Sequence, residues 1–208
     1  MTVVTILPGK RERSKAAVRA RIIEHGVRLF AERGIDAVTV DHIAAAADVG
    51  KGTIYNYVRT KEDLIVSFLA DVERDVQAQL RDLDTSRLPL QKALLRFVKL
   101  QFQLKAPHHR FVRVFFAQMF LRTDAFTPYM AEIHELTRST TEQFFRLLRE
   151  RGAIRRDVPL EDVTLVFTNM LLGLFALWAI EGPPFRGVEH TLTREIALLC
   201  QGLEPRKR

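Results

Sequence analysis

Residues 39–61 read TVDHIAAAADVGKGTIYNYVRTK, and their reading decides the fold. Two short helical patterns, 39–46 and 51–57, flank a break at Ala47-Asp48-Val49-Gly50. Asp48 tolerates a left-handed backbone at modest cost and Gly50 at almost none, so a sharp turn is expected there. Val40, Ile43, Ala44, Ala47, Val49 and Ile54 supply a small shared core, and the run of small residues lets the helices approach closely. That pattern predicts a helix-turn-helix, whose second helix enters a DNA major groove.

The exposed side chains fit such a groove. Lys51 and Lys61 offer charge, Thr53, Tyr55 and Tyr57 offer hydroxyls, and the Gly52 backbone can lie against a sugar-phosphate chain. Contacts of this kind position a protein on the duplex, while base reading needs side chains on the groove face. Thr53 and Asn56 are the candidates for that. Thr39 and Thr60 cap the following helices, whose first amides can meet anions. The bland alternatives are packing for the two tyrosines and capping alone for the two threonines.

The run LFAERGIDAVTVDHIAAAADVGKGTIYNYVRTKEDL resembles the DNA-binding domain of the TetR family of transcriptional regulators. The matching features are Leu29-Phe30, Gly34, Thr39-Val40, Ile43-Ala44, Lys51 through Tyr55, and Lys61 through Leu64. The resemblance covers about residues 16–76. It implies phosphate contacts from Thr39, Lys51, Tyr55, Tyr57 and Lys61, and groove contacts near Thr53 and Asn56. The chain departs from the pattern at Asp48-Val49-Gly50, where Gly-Val-Ser is usual, so a capping serine is lost. Val58 stands where an aromatic is common, and looser packing is expected beneath it.

The rest of the chain is helical in pattern, without strand alternation or repeats. Helices are expected at about 14–33, 60–83, 89–105, 108–122, 128–151, 159–181 and 189–201. About nine helices give an all-α fold: a helix-turn-helix domain over 16–64, with its motif at 39–58, and a helical bundle over 65–203. The resemblance implies that this bundle binds a small molecule and dimerises. Residues 163–180 carry no charge, long enough to test for a membrane span. Acidic flanks and the lack of a basic anchor favour a helix buried on both sides in a soluble assembly instead. Leu171, Leu174, Phe175 and Trp178 on this helix, with Leu198 on the last one, are the expected dimer contacts. Gly173 would permit close approach. Phenylalanines crowd the middle helices, among them Phe120 and Phe126, and form either ordinary core or the wall of an apolar cavity. Phe102, Phe115, Met119, His134 and Asn169 are the expected effector contacts.

Composition sets the outer bounds. The net charge is +7 over 208 residues and the pI is about 9.9. Residues 10–61 hold 11 Lys or Arg against 6 Asp or Glu, so the basic excess sits where a polyanion would bind. One cysteine precludes an intrachain disulfide and favours the cytoplasm. The apolar start followed by charges is the reverse of a signal peptide and reads as a flexible arm. No spacing suits a metal, and no cofactor loop, nucleophile elbow or paired carboxylate suggests an enzyme. The expected partners are double-stranded DNA, a small-molecule effector and a second copy, with no membrane. The expected function is repression through a pseudo-palindromic operator, relieved by a largely apolar effector. The alternative is a DNA-binding activator or architectural protein without one.

Overall fold

The computed structural model describes residues 9–121, 123–182 and 186–203. Among these residues the regular structure is all-helical: α1 (Lys10–Arg33), α2 (Val40–Ala46), α3 (Lys51–Ile54), α4 (Lys61–Asp82), α5 (Leu90–Lys105), a 3-10 turn (Ala106–His108), α6 (His109–Leu121), α7 (Thr123–Glu150), α8 (Leu160–Glu181) and α9 (Arg186–Leu203). The N-terminal arm through Pro8, the stop at Pro183-Pro184, the basic tail at 206–208 and the side chains of Phe120 and Phe126 lie outside the described residues.

Several helix ends differ from expectation for local reasons. Helix α1 begins at Lys10, where Glu12 Oε2 accepts the Gly9 amide at 3.1 Å. Helix α3 closes at Ile54, and single turns carry the chain on to Val58. A segment that carries Gly52 and follows Gly50 has little helical propensity to extend it. Helix α9 is described from Arg186, and Glu181 accepts its Gly187 and Val188 amides at 2.8 and 3.0 Å.

The chain divides into two units, Met1–Phe68 and Leu69–Arg208, and α4 supplies residues to both. In the N-terminal unit α1, α2, α3 and the start of α4 enclose Ile22, Phe30, Ile43, Ile54 and Leu64, all fully buried. Gly26 is required here: a Cβ on it would stand 2.5 Å from Leu64 Cδ1. That packing draws Leu64 and Ile65, which lie at the expected domain boundary, into the N-terminal core. Val58 is buried too, so the missing aromatic leaves no exposed gap at that position.

In the C-terminal unit α8 packs against α6, α7 and α9, and α5 packs against α9. Phe97 stacks on Phe144 at 4.3 Å, and Phe145 meets Phe167 edge-on at 5.0 Å. Each such fully buried phenylalanine contributes about 1.5–3 kcal/mol by leaving water. Helix α8 is long and apolar enough to cross a membrane by length and composition, and half of its most apolar stretch is buried inside the protein. The buried half faces the bundle. Leu165, Val166, Leu177 and Ile180 stay exposed on the other side.

Candidate nucleic-acid interface and effector cavity

The reading head is built by short-range bonds. Thr39 caps α2: its Oγ1 accepts the His42 amide at 3.2 Å, and His42 Nδ1 accepts the Thr39 amide at 3.3 Å. Asp48 takes the left-handed turn position, with φ 52°. Gly50, in contrast, is extended (φ −62°) and caps α3 through its backbone carbonyl alone. Its expected left-handed freedom is therefore unused. Glycine here stands in for the lost serine at a cost of only a few tenths of a kcal/mol. At α4, Thr60 Oγ1 accepts the Asp63 amide at 3.0 Å, and Asp63 Oδ2 accepts the Arg59 and Thr60 amides. The side chains at both N-termini thus occupy the His42 and Asp63 amides, in the third positions of the two helices.

The α3 segment presents its polar residues to solvent. Lys51, Gly52, Thr53, Tyr55 and Asn56 are exposed, while Ile54 is fully buried beneath them. Tyr57 is half-buried, so its ring also packs. Lys51 Nζ donates to Asp41 Oδ2 at 2.7 Å, across from the start of α2. That hydrogen bond, and the attraction behind it, raises the Lys51 ammonium above its ordinary value. Asp41 thus holds one of the three hydrogens of this ammonium. Lys61 differs from expectation more strongly. Its Nζ donates to the Ile35 carbonyl at 2.8 Å and lies 3.9 Å from Asp36, with the side chain only 21% exposed. It ties α4 to the loop after α1, a structural role that an unpaired surface lysine would not have. Asp41 escaped sequence reasoning because it stands ten positions before Lys51 and only the turn brings them together.

Among the described residues, the C-terminal unit holds at least two concavities. One, about 350 Å³, is a groove lined by Lys99, Phe102, Gln103, Trp178, Val188 and Glu189. The other, about 40 Å³, lies among α4, α5, α6, α7 and α8 and is lined by Glu73, Lys105, Phe115, Phe116, Thr137 and Phe175 among others. The expected effector residues do not converge. Phe102 lines the groove and Phe115 the cavity; Met119 and His134 are half-buried and line neither. Asn169 is exposed on the opposite side of α8 from the core. The buried Glu73–Lys105 pair went unnoticed in the sequence. Its signal was there: Leu94, Val98, Gln101 and Lys105 follow helical spacing along one buried face of α5.

The expected dimer contacts need a similar correction. Leu171, Leu174, Phe175 and Trp178 are buried in the subunit's own core, and of the five only Leu198 is exposed. The side of α8 that solvent can reach carries Leu165, Val166, Leu177 and Ile180, with open space around Gly173. The helix is apolar all round, so composition could not tell its two faces apart. Among the described residues, no cluster of three or more His, Cys, Asp or Glu is placed to hold a metal ion.

A capped two-helix turn with a polar second helix defines the class: a helix-turn-helix DNA-binding protein. Residues 22–68 match the family model for bacterial regulatory proteins of the tetR family, which supports a regulator of that kind. It is similar to the transcriptional repressor DhaR of Mycobacterium sp. (strain GP1), at 34% identity over 73 residues, covering 33% of this chain and 37% of that one. It is also similar to the transcriptional repressor KstR2 of Rhodococcus jostii (strain RHA1), at 25% identity over 162 residues, covering 77% of this chain and 78% of that protein. The solved structure of Thermus thermophilus FadR, a TetR-family repressor in complex with lauroyl-CoA, shares the fold. Its TM-score is 0.66 at 22% identity, over 91% of this chain and 97% of that one.

Proposed function

We propose that this regulator is a homodimeric, cytoplasmic repressor that binds a pseudo-palindromic operator and is released by a small, largely apolar effector. The observation that carries the DNA reading is the α3 surface: Lys51, Thr53, Tyr55 and Asn56 exposed together over a buried Ile54. Lys51 and Tyr55 contact phosphate, while Thr53 and Asn56 read bases. The Thr39 and Gly52 backbones approach the sugar-phosphate chain, Tyr57 adds a hydroxyl at the rim, and Lys61 acts by holding the loop after α1.

Dimerisation is supported by where apolar surface remains. Leu165, Val166, Leu177 and Ile180 on α8 and Leu198 on α9 are large apolar side chains left in water, a pattern that marks an interaction surface. Closing α8 and α9 against their symmetry mates would bury it in an isologous contact. Two reading heads would then address major grooves about 34–36 Å apart. Effector release is supported by the concavities in the C-terminal unit, which a void-free activator or architectural core would lack. Helix α4 carries Glu73 on the cavity wall and begins at Lys61 in the N-terminal unit, so a ligand that favours one position of α4 can change DNA affinity. Repression is the activity named for DhaR and KstR2.

Selection of bound duplexes from a random pool tests the proposal. The expected result is an inverted repeat, with Asn56→Ala relaxing preference at one position per half-site. A chain that binds no duplex at low salt overturns it. Leu177→Asp with Ile180→Asp should give monomers in sedimentation, and an unchanged dimer would move the interface elsewhere.

A further inference from the structure

Helices α4 and α5 bring one acid and one base together inside the C-terminal unit. Lys105 Nζ donates to Glu73 Oε1 at 3.0 Å and to Gln101 Oε1, and it stands 4.6 Å from the centre of the Phe175 ring. Lys105 is 7% exposed and Glu73 4%. A carboxylate, an amide and a ring thus surround the ammonium, which has three hydrogens to give. The carboxylate is not so filled. Glu73 Oε2 is buried and accepts no hydrogen bond, and Glu73 lines the cavity of about 40 Å³. The rest of the wall is largely apolar, with Val112, Phe115, Ile133 and Phe175 prominent. Thr137 also lines it, but its hydroxyl donates to the Ile133 carbonyl.

We infer that this cavity recognises an uncharged apolar molecule through one hydroxyl, alcoholic or phenolic, that donates to Glu73 Oε2. The inference rests on the effector reading above and names the ligand class. A buried acceptor without a donor carries a desolvation cost that a ligand hydroxyl removes. Charge selects against the other head groups. Lys105 already compensates Glu73, so a cationic ligand meets the ammonium and an anionic ligand meets the carboxylate. Either brings an unbalanced charge among apolar walls. A neutral donor leaves the pair intact. At about 40 Å³ the cavity holds a hydroxyl and its nearest carbons. A longer body must widen it.

The test compares four six-carbon probes on the full-length protein by calorimetry: hexan-1-ol, methyl pentyl ether, hexanoate and hexylammonium. The alcohol should bind at least about tenfold tighter than the ether, which accepts but cannot donate, and than either ion (about 1.4 kcal/mol). Equal binding of alcohol and ether, tighter binding of either ion, or no binding of any probe at millimolar concentration overturns the inference. In the paired variant Glu73→Leu with Lys105→Met the advantage of alcohol over ether should vanish, and its full retention in a folded protein also overturns it. Because the decisive comparison is made on the unmodified chain, a variant that fails to fold does not decide the matter. Titrating the same preparation with selected operator keeps the readings apart. Operator binding that hexanoate relieves would leave effector control standing while this ligand class falls. Loss of operator binding without any probe would strike the DNA reading instead.

Discussion

The start and the middle of α4 handle polar groups in opposite ways. At its start, Thr60 and Asp63 satisfy each other across one turn, and Lys61 finds the Ile35 carbonyl. Further along, Glu73 reaches a base 32 positions away and still leaves Oε2 without a donor. The same contrast separates the two units. The reading head closes its caps locally and turns its remaining polar side chains to water. The C-terminal core buries Gln101 Nε2, Thr164 Oγ1 and Thr168 Oγ1 without partners. Unsatisfied groups in a core carry a cost that a ligand can remove.

The largest effect should come from breaking the buried pair. Glu73→Leu alone leaves Lys105 buried and uncompensated and should destabilise the fold by about 3–5 kcal/mol. The double variant with Lys105→Met should recover most of that loss in urea denaturation. Equal destabilisation by the single and double variants would place the cost in packing instead of charge. A smaller effect is expected at the reading head: Thr39→Ala removes one local cap and should cost about 1 kcal/mol, seen as a lower urea midpoint with an unchanged slope.

Exposed charge should matter less for stability and more for binding. Lys51→Ala should leave the melting temperature nearly unchanged, weaken duplex binding across sequences and lower the salt slope by about one. Asp41→Ala should do the reverse to affinity, since it frees Lys51 and removes a negative charge from the face. If both variants bound DNA like the parent, α2 and α3 would not form the contact surface.

The smallest effect is a pH dependence at Glu195. Its Oε2 is buried without a partner, and burial raises the carboxyl above its ordinary 4.5. A raised carboxyl binds its proton more tightly in the folded state. Its stabilising contribution is therefore complete below about 4.5 and is lost as pH rises through the raised value. Glu195→Gln should flatten the stability curve just above pH 4.5, measured by thermal melts in a buffer series.

Much of the N-terminal unit was legible in the chain because its determinants are close in sequence. Thr39, the Asp48 turn, the Thr60–Asp63 box and buried Ile54 all follow from neighbours within a few positions. Lys61 was the exception. Nothing adjacent to it shows that the Ile35 carbonyl, 26 positions earlier, takes its ammonium. In the C-terminal unit the helices were legible and their faces were not. Helix α8 is apolar on every side, so periodicity could not say that Leu171 and Phe175 turn inward while Val166 and Ile180 turn out.

The sequence by itself therefore determined the helical class and the helix-turn-helix, because capping, turn chemistry and amphipathic spacing act over one or two turns. Tertiary structure alone decided that Lys51 is exposed while Lys61 packs against the loop after α1, which side of α8 is left in water, and that Glu73 and Lys105 share a cavity. Those outcomes depend on which distant side chains meet, and a buried charge takes its role from the partner that packing brings to it.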